Sequence, residues 1–98
     1  MSRRLIVRPE AEAEIAEAFD WYEDQVPGLG SDFLLCLDAI VSAILRSPAY
    51  YPRVHKIVRR ALTRRFPYEV FFLEDGERIV ILSVFHARRN PKRWQDRI

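Results

Sequence analysis

The chain of 98 residues has one cysteine, two histidines and three glycines, and each scarcity excludes something. Cys36 has no partner for an internal disulfide, so nothing ties the chain to an oxidising compartment. Two histidines, one thiol and carboxylates gathered mostly in one segment give no metal-ligand spacing, and no glycine-rich loop can cradle a nucleotide phosphate. No metal or cofactor is therefore expected. No apolar run approaches the roughly 18 residues of a membrane span, and Met1 to Arg8 carries charge without an apolar stretch. The expectation is a cytoplasmic protein with no membrane contact.

With 49% hydrophobic and 12% aromatic residues, the chain can fill one core, and its length leaves no room for a second; residues 1–98 form a single domain. The net charge of +2 hides a division. Residues 1–49 hold four basic and nine acidic side chains, a net of −5, whereas residues 50–98 hold twelve basic and five acidic, a net of +7. All the cations but Lys56 and Lys92 are arginines, whose planar fork suits bidentate contacts to phosphate or carboxylate. Such a basic half suits a polyanion or an acidic partner; a hydrated arginine-lined strand edge has the same composition.

The apolar pattern gives the order β-αα-βββ. Arg4–Arg8 is a short β-branched run that Pro9 ends. From Glu10 to Val26, the side chains of Ile15, Ala18, Phe19, Tyr22 and Val26 form a helical stripe with acids in the first turns. Pro27, Gly28 and Gly30 interrupt, Ser31 and Asp32 look like an N-cap, and a second helix runs to Ser47, so the two helices make a hairpin. The period then changes to two in Lys56–Leu62, Arg65–Leu73 and Arg78–His86, with Asp75-Gly76 as a hairpin signal and Pro67 expected at a bulge or near a strand start. Asn90–Ile98 opens on an Asn-Pro turn and has room for one helical turn. The fold class is α+β, a helical hairpin packed on a mainly antiparallel sheet.

Two basic clusters stand out. Arg53, Lys56, Arg59, Arg60, Arg64 and Arg65 alternate with Tyr50, Tyr51, Phe66 and Tyr68, a mixture that offers guanidinium groups to phosphates and ring faces to bases. His86, Arg88, Arg89, Lys92, Arg93 and Trp94 follow the last strand. Folding the hairpin at Asp75-Gly76 brings Arg65 close to His86, so the clusters are expected to meet at one end of the sheet. His86 is the proton-transfer candidate, although a histidine at a strand end is more often structural. Glu69 is a candidate base or a salt-bridge partner, and Cys36, among leucines, reads as packing.

The segments Trp21–Glu23 (WYE), Pro27–Gly30 (PGLG), Arg64–Phe72 (RRFPYEVFF) and His86–Trp94 (HARRNPKRW) together resemble the RelE/ParE toxin superfamily of bacterial type II toxin-antitoxin systems, over nearly the whole chain. The resemblance implies a growth-inhibiting, plasmid-stabilising toxin, a basic concave surface and a cognate antitoxin that wraps and masks it, with oligomers formed through that antitoxin. RelE-like members cut mRNA on the ribosome without metal; ParE-like members poison DNA gyrase. By that resemblance Arg60 matches the strand arginine, Arg88 or Arg89 the arginine past the last strand, and His86 would complete a ribonuclease site. Two departures weigh against cleavage: Tyr68-Glu69-Val70 places an acid where RelE-like sheets carry a cation, and Trp94 stands where they carry a tyrosine. The resemblance therefore implies a ParE-like toxin with DNA gyrase as target, and a metal-independent mRNA endoribonuclease as the alternative. Arg59, Arg64, Arg65, Arg89, Lys92, Arg93 and Trp94 are the expected target or nucleic-acid contacts.

Overall fold

The structure is a computed structural model and describes residues 3–87. Strand β1 (Arg4–Val7) leads into helices α1 (Pro9–Gln25) and α2 (Leu29–Arg46), then a single 3-10 turn (Pro48–Tyr50), and strands β2 (Arg53–His55), β3 (Val58–Leu62), β4 (Tyr68–Asp75) and β5 (Arg78–His86). The five strands lie in the order β1-β5-β4-β3-β2. β1 runs parallel to β5, with Leu5 beside Ile79, and every other pairing is antiparallel. This is the expected α+β arrangement with one further strand. β2 is that addition, because Lys56 adopts φ 52 and turns the chain after His55, so that the expected strand from Lys56 begins instead at Val58.

Pro9 opens α1 where a missing N–H costs nothing, and Glu10 and Glu12 fill the first turn, favoured by the helix dipole. Ala11, Ala18 and Tyr22 are buried, with half-buried Ile15 between them, while Val26 turns outward past the helix end. α2 buries Phe33, Leu37 and Ile44. Together these helices cover one sheet face, built from Ala61, Val70, Phe72, Ile79, Ile81 and Val84. Each large side chain buried in this way contributes about 1.5–3 kcal/mol. Tyr22, Phe33, Phe66 and Tyr68 form the aromatic end of this core, with ring centroids 4.8–6.2 Å apart. The opposite face carries a second cluster around Val58, Phe71, Val80, Leu82 and Phe85.

The joint between the helices is tighter than the sequence suggests. α2 starts at Leu29, with Gly28 at φ 91 as its N-cap, rather than at a cap formed by Ser31 and Asp32. The Glu23 carboxylate, in the last turn of α1, accepts the N–H groups of Gly28 and Gly30 at 3.0 and 2.9 Å and so does the capping. Gly30 sits against Phe19, whose carbonyl oxygen would lie 2.7 Å from any Cβ at this position.

A second tie joins α1 to the sheet. β5 bulges between the registers Phe71↔Ser83 and Phe72↔Ile81, which leaves Leu82 as the extra residue. The Glu14 carboxylate accepts the hydroxyl of fully buried Ser83 at 2.9 Å and the Val84 N–H at 3.1 Å beside that bulge. Glu14 lies three residues from Ala11 and four from Ala18, so a carboxylate inside the apolar stripe was the available signal.

Candidate target-binding surface

The β3–β4 turn places Arg64 and Arg65. Thr63 closes it: its N–H donates to the Tyr68 carbonyl at 3.1 Å, its hydroxyl to the Phe66 carbonyl, and it accepts the Tyr68 N–H at 3.2 Å. Pro67 stands just before β4, as expected of a residue that gives no ladder bond. Arg64 is exposed; Arg65 lies over the Phe66 ring at 5.2 Å and reaches Asp32 of α2 at 3.3 Å.

On β3 the two arginines are engaged differently. The Arg59 guanidinium donates to the Tyr51 carbonyl at 2.6 Å and weakly to that of Ala49, holding the 3-10 segment against the sheet. Arg60 pairs across the ladder with Phe71, on the face away from the helices, and meets Glu69 at 3.3 Å. The Glu69 side chain is 16% exposed and that of Arg60 40%, so this is a half-shielded pair on the open side of the sheet. Glu69 thus acts as a salt-bridge partner, the plainer of its two sequence readings.

His86 ends β5 with its ring edge-on to Tyr68 at 5.4 Å, in a cleft of about 490 Å³ bordered also by Glu17, Trp21 and Tyr22. The neighbour across the ladder is Tyr68, three residues from the expected Arg65. Two causes combine. Gly76, at φ 62, and Glu77 are the turn residues between Asp75 and Arg78, in the manner of a type II′ turn, and the bulge at Leu82 adds a further residue. Arg65 therefore does not meet His86 by strand register. Arg88, Arg89, Lys92, Arg93 and Trp94, and the helical turn expected after Asn90, lie outside the described residues. Of the aromatic pair in α1, Tyr22 is core, its phenol pushed above its ordinary pKa by burial, and Trp21 is 58% exposed at the cleft.

The described residues thus supply a guanidinium-rich sheet edge and turn, part of it already neutralised, beside an aromatic cleft. The fold defines a class. A chain from the chromosomal ParDE toxin-antitoxin system of Pseudomonas aeruginosa superposes with a TM-score of 0.79 at 19% identity, covering 89% of this chain and 98% of that one. An arginine-substituted mutant of the Escherichia coli toxin RelE in the free state superposes with a TM-score of 0.62 at 18% identity, covering 90% and 86%. The fold is that of the RelE/ParE toxins.

Sequence narrows the class. Residues 5–91 match the model of the ParE toxin of type II toxin-antitoxin systems. Toxin ParE2 of Mycobacterium tuberculosis, strains CDC 1551 and H37Rv, is 34% identical over 92 residues, which are 93% of this chain and 88% of the relative. The chain belongs to the ParE toxin family of type II toxin-antitoxin systems, and its counterpart is a cognate antitoxin. No helix among the described residues is long and apolar enough to cross a membrane.

Proposed function

We propose that this toxin arrests growth in the cytoplasm by binding DNA gyrase on its cleaved DNA, with cations from Arg64 and Arg65 of the β3–β4 turn and Arg59, and further contacts from Arg89, Lys92, Arg93 and Trp94 of the sequence that follows. The observation that carries this reading is the Arg60–Glu69 pair. Metal-free cleavage of RNA needs unpaired cations around the phosphorane, and here the Arg60 guanidinium of β3 faces a carboxylate. A surface that acts by binding tolerates such a pair, because turn and terminal cations can still meet phosphate or acidic side chains. The antitoxin covers this surface in the resting complex and links toxin copies into larger assemblies.

The test is expression of the chain with and without its antitoxin. Without it, growth stops and covalent gyrase–DNA complexes accumulate in lysates trapped with detergent; with it, both effects vanish. Codon-phased cuts in mRNA, lost in a His86→Ala variant and appearing without trapped gyrase, would instead establish the endoribonuclease built on His86, Arg60 and Arg88.

A further inference from the structure

A second concavity lies away from the cleft at His86. It is a groove of about 370 Å³ between α2, Tyr51 and the β3–β4 turn. Its floor is the α2 face of Cys36, Ala39 and Ala43, with Arg46 at the helix end and Arg64 on the facing turn. The sequence along this face sets its charge. Asp32 comes first and takes Arg65 at 3.3 Å; beyond it the face offers no acid before Arg46. Among the described residues neither Arg46 nor Arg64 meets a carboxylate within 4.0 Å. Nor is the Arg46 side chain needed to cap the helix, because the Arg3 guanidinium donates to the Leu45 carbonyl at 2.7 Å and to that of Arg46 at 3.5 Å. Small side chains between two uncompensated guanidinium groups make a slot that a peptide can enter closely and that attracts carboxylates at both ends.

We propose that this groove seats an acidic segment of the cognate antitoxin, one that lays a small apolar side chain over Ala39 and Ala43 between carboxylates directed to Arg46 and Arg64. The proposal rests on the toxin reading and adds to it a second contact, one that shares Arg64 with the surface proposed for the target and otherwise lies along α2. Arg46 is the residue that distinguishes the two, since it lies outside the proposed target contacts.

The test uses the purified toxin–antitoxin pair. Arg46→Glu is expected to weaken antitoxin binding by about ten- to a hundred-fold, as loss and reversal of one partner of a shielded charge pair does. Arg8→Glu, the same charge change beside the opposite sheet edge, is expected to stay within about twofold, since rim charges contribute little. Cys36, the only thiol, reports independently on the unmodified chain: its alkylation should slow at least about tenfold in the complex if the peptide covers the groove wall, because a bound partner protects what it covers. Equal affinities for the two variants, or equal alkylation of free and bound toxin, would overturn the proposal while leaving antitoxin neutralisation intact. An Arg46→Glu chain that loses binding only through loss of folding would show itself in its melting temperature, and the alkylation rates then decide. If no antitoxin binds or rescues growth, the toxin reading and this proposal fall together.

Discussion

Glu69 determines how much of the Arg60 charge is available. Its carboxylate sits 3.3 Å from the guanidinium on a half-shielded sheet face, which leaves a near-neutral pair where a polyanion would otherwise find a cation. Glu69→Gln should release Arg60 without changing side-chain size, and non-specific binding to single-stranded RNA should then steepen in its salt dependence by about one ion. An unchanged slope would show that the pair does not set the field of this face. Tyr22 gives a prediction of a different kind. Its burial raises the phenol above the ordinary value of 10.0, so the fold favours the neutral form. That stabilisation is fully present below pH 10, the unfolded value, and is lost as pH rises through the higher folded value. The unfolding free energy of the wild type, from urea titrations, should therefore fall more steeply than that of Tyr22→Phe as pH rises past about 10, by up to about 1.4 kcal/mol per pH unit. Parallel curves for the two proteins would contradict this.

Among the elements, the helical hairpin is held by its joint. Gly28 takes the left-handed turn, Glu23 caps the start of α2, and Gly30 lets α2 approach the backbone of α1. Gly30→Ala would gain about 1 kcal/mol of helix propensity but must displace a backbone carbonyl, and overpacking of this kind costs about 1–3 kcal/mol. The expected result is a net loss in stability of about 1 kcal/mol, seen as a melting temperature lower by about 4–8 °C; a more stable variant would contradict the close approach. The sequence made the two helices and the strands β1, β3, β4 and β5 legible because the period of three to four in Ala18, Tyr22, Phe33 and Leu37 and the alternation in β4 and β5 are properties of burial. It did not show the α2 cap, because the capping oxygen comes from Glu23, six residues before Leu29. It also misplaced Arg65 against His86, since hairpin register depends on which residues take the turn and on a bulge, and neither changes the hydrophobic pattern. β2 escaped notice for the same reason, the left-handed turn falling at a lysine instead of a glycine.

At the scale of the whole molecule, the division of −5 and +7 along the sequence maps onto a helical hairpin rich in acids and a sheet with arginine at its edge and turns. Two of those arginines serve the fold itself, Arg59 holding the 3-10 segment and Arg65 pairing with α2, while Arg3 of the acidic half caps the end of α2. Net charge alone therefore overstates the surface open to a target, and the resemblance read from four short segments, borne out by the ParE family match, did more to define function than charge did. The proposed antitoxin groove along α2, added to the cover proposed over the target surface, fits a protein that must be active when alone and silent in its complex. The most direct measurement is plasmid cleavage by purified gyrase in the presence of this toxin. The account predicts that linear DNA accumulates with toxin concentration after denaturation of the enzyme, and that antitoxin abolishes it; supercoiling and cleavage identical to those of gyrase alone would contradict it.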